Sequence, residues 1–515
     1  MQPKWKAVEA AGVVVGDQRR RCVAASLSML IAATLAFLAY VAFFPDDGAG
    51  GVYRWWSRCQ DCPGGALGEF PVDEAAGADG PTAAAIGSRA PTTLSHIVFG
   101  IGASAQTWDQ RRGYAELWWR PEAMRGHVWL DEQPVGPWPA ATCPPYRISG
   151  DASRFGNRAS ASRMARIVAD SFLAIANDTA TGAVQENEAR WFVMGDDDTV
   201  FFPDNLVAVL RKYDHEQMYY VGAPSESVEQ NVMHSYGMAF GGGGFAVSYP
   251  AAAELAKAID GCLDRYSQFY GSDQRVQACL SELGIPLTRE PGFHQVDIRG
   301  DAYGMLAAHP QAPLVSLHHL DHIEPISPVG HTALSAVRPL MDASRFDSAR
   351  LLQQAFCYQH GVDYTWSVSI AWGYTVQVYP WAVAPHELEV PLQTFKTWRT
   401  WANGPFVFNT RPLFGPDNPC YRPAIFFLSR VRNETGRATV SEYSRHHPKS
   451  EKECDKASFR AASTVHTVKV FAPKMSQNEW KRAPRRHCCK TKRTRWGTVL
   501  EVRIRYCGRG ELTTP

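Results

Sequence analysis

The sequence lacks a marked excess of either charge, a second long hydrophobic run and an internal repeat. Its 515 residues include 53 Lys and Arg and 51 Asp and Glu, giving a formal net charge of +2. This balance argues neither for nor against a polyanionic partner. Cys59 and Cys62 form a single CxxC motif, and without a second such pair no zinc site is expected.

One hydrophobic run is present near the N-terminus. Residues 22–44 carry no charge, Arg19, Arg20 and Arg21 precede them, and Asp46 and Asp47 follow. A helix of about 20 apolar residues crosses a bilayer, and the flanking positive charge stays cytoplasmic. We therefore predict a cytoplasmic tail at 1–21 and a transmembrane signal anchor at 22–44. A cleaved signal peptide is the alternative, but its apolar core would span only about 7–15 residues.

The cysteines agree with a lumenal location of the remaining chain. Eleven of the twelve follow the predicted anchor, as expected in an oxidising compartment. Cys488 and Cys489 are adjacent, so each is expected to pair with a distant cysteine. Two acceptor sequons, at Asn177 and Asn433, are compatible with glycosylation.

The rest of the chain divides by pattern. Residues 45–90, rich in Gly, Ala, Pro and Asp, predict a flexible stem. Strand-like and helix-like segments then alternate over 91–335, which indicates an α/β domain with a mostly parallel sheet covered on both faces. Residues 336–515 carry short alternating aromatic runs and predict a smaller β-rich C-terminal domain, with a polar insertion near 432–464.

A triplet of aspartates follows the apolar segment "RWFVMG". Asp196, Asp197 and Asp198 lie where a buried strand ends, and ligands bind at the carboxyl ends of strands in such sheets. Strand alternation places Asp196 and Asp198 on one side and Asp197 on the other. Paired carboxylates are hard ligands suited to Mg²⁺ or Mn²⁺. A solvated acidic turn or a helix cap is the alternative interpretation.

Three further segments bear on this triplet. The run Gly241 to Gly244 would let backbone approach a sugar or phosphate closely, although a flexible turn explains it equally well. In "YGSDQRVQACL", Ser272 and Asp273 open a helix, where an acid also stabilises the helix dipole. The segment "SLHHLDHIE" then brings three histidines, of which one could complete a metal site; they are His318, His319 and His322.

The order of these motifs resembles the Fringe-type β-1,3-glycosyltransferases. The segments "FGIGASAQTWDQRRGYAELWWRP", "RGHVWLDE", "WFVMGDDDTVFFPDNLV", "SLHHLD" and "APRRHCC" are similar to those of the plant Fringe-related proteins. The likeness covers roughly residues 94–430 and resumes at 465–515. It implies the Rossmann-like nucleotide-diphospho-sugar transferase fold called GT-A.

The resemblance also implies roles for individual residues. Asp198 and His318 would hold Mn²⁺ or Mg²⁺, with His319 open as the alternative histidine. Asp196 and Asp197 would contact the donor, and the glycine run adds Gly242 and Gly243 to that group. Asp273 would be the catalytic base; this chain has Ser272 beside it where relatives often have a second acid.

The predicted function follows from these assignments. We expect a Golgi type II membrane glycosyltransferase, metal-dependent and inverting. It would transfer a hexose or N-acetylhexosamine from a UDP-sugar to a hydroxyl of a glycan or glycoprotein, in β-1,3 linkage. Nucleic acid is not expected as a partner. The basic stretch from Lys481 to Arg495 reads as a solvated face or as a contact for acidic glycans.

Two other functions fit part of the pattern. A haloacid-dehalogenase-type phosphatase also uses a D-x-D-x-V motif after a strand, which Asp196, Asp198 and Val200 match loosely. That motif normally opens its domain, whereas about 95 residues of predicted α/β structure precede it here. A non-catalytic lumenal glycan-binding or scaffold protein is the second alternative.

Overall fold

The computed structural model describes residues 90–180, 189–362, 364–415, 417–447, 454–494 and 497–515. The predicted tail, anchor, Cys59–Cys62 motif and nearly all of the predicted stem lie outside these residues. Within the described ranges, no helix combines the length and the apolar character needed to cross a membrane.

A seven-stranded sheet organises the first half of the chain. Its order is β3-β2-β1-β4-β7-β6-β8. Four of its six strand pairings are parallel and two are antiparallel, so the mostly parallel sheet expected from the sequence is confirmed. The first eight strands of the chain, of which all but β5 belong to this sheet, are β1 Ile97–Gly102, β2 Arg125–Leu130, β3 Tyr146–Ile148, β4 Trp191–Asp196, β5 Val200–Phe201, β6 Tyr220–Gly222, β7 Phe245–Ser248 and β8 Leu287–Arg289.

Helices cover both faces of this sheet because its strands are apolar on both sides. Phe99 of β1 packs in one core with Trp118, whereas the neighbouring Val98 packs in another core with Ile167 and Val168. Successive strand residues face opposite sides, which accounts for the division. The helices of this half are α1 Trp108–Trp118, α2 Ala159–Ala180, α3 Pro203–Leu210, α4 Val228–Met233, α5 Tyr249–Arg265, α6 Ser272–Glu282, α7 Tyr303–Ala307 and α8 Ala333–Asp347.

A small three-stranded sheet joins distant parts of the chain. It contains β5, β9 (Phe293–His294) and β11 (Ser316–Leu317), in the order β5-β11-β9. Leu317 pairs with Val200 and Ser316 with Phe201 in antiparallel register. The chain just before β5 is thereby held beside the chain just after β11. A further strand, β10 (Ile298–Gly300), pairs with a strand of the second half, β16 (Phe395–Thr397).

The second half of the chain forms a closed eight-stranded barrel. Its order is β12-β13-β14-β18-β19-β20-β22-β21, and β21 pairs back to β12. Closure leaves the barrel without an exposed edge strand. The barrel strands are β12 Gln354–His360, β13 Thr365–Ala371, β14 Thr375–Tyr379, β18 Ala424–Thr435, β19 Ala438–Arg445, β20 Thr467–Pro473, β21 Cys488–Arg493 and β22 Val499–Arg505. The remaining elements are β15 Leu392–Gln393, β17 Arg411–Pro412, α9 Pro385–Leu388 and α10 Ala457–Ser463.

The polar stretch near 432–464 is only partly an insertion, which corrects the sequence interpretation. Its first part belongs to the barrel hairpin of β18 and β19. Thr439 and Ser441 are buried there, and their hydroxyls donate to the backbone carbonyls of Ala472 and Val470 in β20. Because the barrel backbone satisfies these hydroxyls, a segment that looks solvent-exposed in sequence forms an interior strand.

The two adjacent cysteines pair separately, as predicted. Cys489 joins Cys357 and thereby links β21 to β12 where the barrel closes, while Cys488 joins Cys507. Two further disulfides join Cys262 to Cys279, between α5 and α6, and Cys420 to Cys454.

Candidate functional site

The aspartate triplet lies at the carboxyl edge of the seven-stranded sheet. Asp196 is the last residue of β4 and lies opposite Gly102, the last residue of the parallel strand β1. Pairing of β5 with β11 then brings His318, the residue after Leu317, beside the triplet. This contact joins segments that are far apart in the sequence.

Asp196, Asp198 and His318 form a cluster that could hold a cation. One potential ligand atom from each residue lies within 4.8 Å of the others. Nε2 of His318 is 3.0 Å from Oδ1 of Asp198 and 3.7 Å from Oδ2 of Asp196. Asp198 and His318 are buried, whereas the Asp196 side chain is 35% exposed. Carboxylate oxygens with one imidazole are suitable ligands for a divalent cation.

The protonation of the cluster supports this reading. Burial alone would lower the pKa of His318, but the carboxylates of Asp198 and Asp196 raise it to about 9. Burial would raise the pKa of Asp198, yet His318 and Arg111 hold it well below its usual range. Burial raises the pKa of Asp196 to about 7. At neutral pH, therefore, a proton on His318 offsets the carboxylate charge, and a bound cation could replace that proton.

The other ring nitrogen of His318, Nδ1, also bears on whether this histidine is functional. This atom is buried and has no hydrogen-bond partner among the described residues. A buried unpaired polar atom costs stability, so its presence at this position is consistent with a functional rather than a purely structural histidine.

Asp197 is not one of the three clustered residues; like Asp198, it lies in the turn after β4, so its placement stays a prediction of strand alternation. Nη1 of Arg111, on α1, lies 2.8 Å from Oδ1 of Asp197 and 3.4 Å from Oδ2 of Asp198. The Arg111 side chain is 36% exposed. Sequence reasoning missed Arg111, because nothing in the segment distinguishes it from Arg112, which instead pairs with Glu116.

The tetraglycine segment passes between the cluster and Asp273. A Cβ atom on Gly242 would lie 2.1 Å from Cε1 of His318, and one on Gly241 would lie 2.6 Å from Oδ1 of Asp273. Gly244 adopts φ +83°, a left-handed conformation that glycine favours. Side chains at Gly241 and Gly242 would therefore displace Asp273 and His318.

Hydrogen bonds hold this glycine segment against the aspartate turn. The hydroxyl of Thr199 accepts from the N–H of Asp196 (2.8 Å) and donates to the carbonyl of Gly242 (2.7 Å). The N–H of Gly243 donates to Oε1 of Gln295 (2.6 Å), and the hydroxyl of Ser316 donates to the carbonyl of Gly243. Thr199, Gln295 and Ser316 thus position the loop, and sequence reasoning identified none of them.

Asp273 occupies the first turn of α6 and faces the glycine segment. Its carboxylate accepts from the Ser272 hydroxyl at 3.0 Å and from the backbone N–H of Gly241. Burial raises its pKa, despite the opposing effect of these hydrogen bonds. Since Gly241 and Gly242 are consecutive, Asp273 and His318 contact the same stretch of backbone.

His319 lies outside the cluster, so the structure favours His318 as the candidate ligand. His319 has φ +53°, and its Nδ1 is 3.0 Å from Oδ1 of Asp297. Its ring stacks on Trp398, with centroids 4.6 Å apart and planes 8° apart. The left-handed backbone at this residue turns the two adjacent imidazoles towards different partners.

Similarity to known proteins was found in two comparisons. A family model described as "Protein of unknown function, DUF604" matches residues 230–489, a range that includes the glycine segment, Asp273 and His318 and begins after the aspartate triplet. A Mus musculus protein named beta-1,3-glucosyltransferase is 34% identical over 143 residues, which are 27% of this chain and 27% of the relative. A Homo sapiens protein of the same name is 30% identical over 117 residues, or 21% of each chain.

These matches are partial, since the aligned regions span about a quarter of each curated relative. They support a family similar to β-1,3-glycosyltransferases, and with it the mixed α/β fold class. The plant Fringe-related likeness and the GT-A assignment stay predictions.

Proposed function

This chain belongs to the DUF604 family, and we propose that it is a metal-dependent glycosyltransferase that uses a UDP-sugar donor. The observation that carries the proposal is the cluster of Asp196, Asp198 and His318, which lies against the tetraglycine segment with Asp273 on its other side. The β-1,3-glucosyltransferases that match part of the chain support the same reaction class.

The proposed donor site follows from the contacts of the triplet. Asp198 and His318, with Asp196 at the open edge, would hold Mn²⁺ or Mg²⁺. When bound, such a cation supplies positive charge that stabilises a departing diphosphate. Asp197 and the backbone of Gly242 and Gly243 would orient the donor. Asp197 itself is held in place by its ion pair with Arg111.

Asp273 would act as the general base of an inverting transfer. Its carboxylate would take the proton from an acceptor hydroxyl as that oxygen forms a bond to the anomeric carbon of the donor. The bond from the anomeric carbon to the diphosphate breaks in the same step, and UDP leaves. A raised pKa suits this role, because it brings the basicity of the carboxylate closer to that needed at neutral pH.

The sugar and its linkage are proposed at a coarser level. The likeness to Fringe-type enzymes, together with the partial β-1,3-glucosyltransferase matches, favours transfer of a hexose or N-acetylhexosamine in β-1,3 linkage. A glycan or glycoprotein hydroxyl is the proposed acceptor.

Release of UDP from a panel of UDP-sugars tests the activity. We expect the full-length protein to release UDP when MnCl₂ is present, and we expect Asp198→Ala to lose that release. Asp204→Ala is the matched control, because Asp204 is a half-exposed carboxylate that pairs with Arg120 outside the cluster. Metal-dependent release of phosphate from a simple monoester, without UDP release, would instead indicate a phosphatase. Neither activity would favour a non-catalytic glycan-binding protein.

We propose that the protein is a Golgi type II membrane protein with a lumenal catalytic region. The proposal comes from the uncharged residues 22–44 behind three arginines. Protease added to intact vesicles should leave residues 90–515 undigested, and digestion of that region without detergent would reject the orientation.

A further inference from the structure

A cluster of aromatic rings extends from His318 towards solvent. The His318 and His319 rings are 3.9 Å apart, and His319 stacks on Trp398. The His322 ring stands nearly perpendicular to His319 and to Trp398, at 5.2 and 5.3 Å. We call His322, Trp398, Trp401 and the neighbouring Arg299 the aromatic patch. It is continuous with the candidate active site.

Trp401 is the exposed member of this patch. Its side chain is 58% exposed, which is unusual for the largest apolar side chain. The guanidinium of Arg299 lies 3.8 Å from the Trp398 ring and 5.8 Å from the Trp401 ring. Trp398 is therefore covered on one side by His319 and contacted by Arg299, whereas much of the Trp401 ring remains open to solvent.

The turn that carries Trp401 is held from both sides. The N–H of Thr397 donates to the carbonyl of Ala402 (2.9 Å), and the N–H of Ala402 donates to the Thr397 hydroxyl (3.0 Å). Across the turn, the N–H of Arg399 donates to Oε2 of Glu229 on α4 (3.1 Å). The exposed indole thus stands on a hydrogen-bonded support.

The backbone of Trp401 points to a function for this exposure. Its φ is +54°, a left-handed conformation that glycine adopts easily and that is unfavourable for a bulky residue. Such conformations persist where the surroundings impose them, and they concentrate at binding sites. A tryptophan kept exposed at such a position, next to a candidate active site, indicates a ligand contact.

We propose that the aromatic patch is an acceptor subsite in which Trp401 stacks on a pyranose ring of an oligosaccharide. The C–H bonds on one face of a pyranose make an apolar surface whose hydrogens are weakly positive, and these complement the negative face of an indole. Arg299 and His322 supply polar groups for the ring's hydroxyls. Because contacts connect His318 to Trp401 through His319, Trp398 and Arg299, we place the stacked ring further from the cluster than the ring that reacts.

This inference rests on the proposed glycosyltransferase activity, and its test separates the two. The full-length protein, Trp401→Ala and Trp401→Phe would be compared with gluco-, galacto- and xylo-oligosaccharides of one to four rings. Oligosaccharide binding is measured by calorimetry without donor, and transfer is measured by UDP release. Tyr421→Ala is the matched control, because Tyr421 is 54% exposed and has Lys456 5.4 Å from its ring, beside a disulfide elsewhere in the chain.

We expect Trp401→Ala to weaken binding of oligosaccharides, and to raise their KM, by about tenfold or more. Single-ring acceptors, donor hydrolysis without acceptor and the melting temperature should change less than about twofold or a few degrees. Trp401→Phe should recover part of the loss, and Tyr421→Ala should match wild type.

Three results would overturn the subsite. One is equal oligosaccharide affinity in wild type and Trp401→Ala, and another is an equal loss for single-ring acceptors. The third is that no oligosaccharide in the panel binds wild type. Absence of UDP release with intact, Trp401-dependent oligosaccharide binding would reject the transferase while retaining the subsite.

Discussion

Replacing Asp273 with asparagine separates a catalytic role of this residue from a structural one. Asparagine keeps the size of the side chain and an oxygen that can accept from the Gly241 N–H and the Ser272 hydroxyl. It cannot take a proton from an acceptor hydroxyl. We therefore expect transfer to fall by about 10² or more, the usual loss on removing a general base. UDP and Mn²⁺ affinity should stay within about threefold, because Asp273 lies outside the cation cluster.

The stability of the same variant can be worked out from the structure. Because folding raises the pKa of Asp273, its ionised form destabilises the folded state at any pH above that pKa, and neutral asparagine removes this cost. Asparagine also loses the favourable interaction with the helix dipole, about 0.3–1 kcal/mol. The two effects oppose each other, so the melting temperature should stay within about 2 °C of wild type.

Turnover per folded molecule, measured beside a melting curve, decides the question. Asp301→Asn is the control, because Oδ1 of Asp301 accepts from the N–H of Tyr303 at the start of α7 and has no place in the cluster. Unchanged turnover in Asp273→Asn with a lowered melting temperature would refute the base assignment. Loss of transfer in Asp301→Asn instead would move the base to that residue.

Two further predictions concern the cluster. Gly242→Ala should weaken Mn²⁺-dependent UDP binding about tenfold or more, because its Cβ would lie 2.1 Å from the His318 ring. Gly150→Ala is the control, since a Cβ there meets nothing within 4 Å, and it should bind like wild type in the same calorimetric titration. Equal affinities of Gly242→Ala and wild type would show that the glycine segment moves aside without cost. Mn²⁺ affinity should rise between pH 6.5 and 8.5 by up to about tenfold per pH unit, because the cation displaces a proton from His318, whose pKa is raised to about 9. Free Mn²⁺ measured by electron paramagnetic resonance would follow this rise, and a pH-independent affinity would contradict it.

The sequence predicted the local elements well because their signals are local. Alternation and helical spacing located β1, β4 and α2, and the sequence singled out Asp196 and Asp198 as a pair, which the structure brings together with His318. The separate pairing of Cys488 and Cys489 followed from simple geometry.

What the sequence could not show depends on contacts between distant segments. The pairing of β5 with β11 selects His318 over His319, and a left-handed φ at His319 completes the choice. Arg111 reaches Asp197 because α1 begins shortly after the carboxyl end of β1, which lies beside the carboxyl end of β4. The sequence did not predict the strand Ala438–Arg445, because its polar composition is typical of an exposed segment. In the structure, its buried hydroxyl side chains donate hydrogen bonds to a neighbouring strand rather than to water.

The measurement that tests the account most directly is calorimetry of UDP binding with and without Mn²⁺. The comparison uses wild type, Asp198→Ala and the Asp204→Ala control. We predict that Mn²⁺ strengthens UDP binding to wild type and to Asp204→Ala, and that Asp198→Ala loses this effect because the cluster loses its buried carboxylate. Equal Mn²⁺-dependent affinity in all three proteins would contradict the claim that Asp196, Asp198 and His318 form the metal site of a glycosyltransferase.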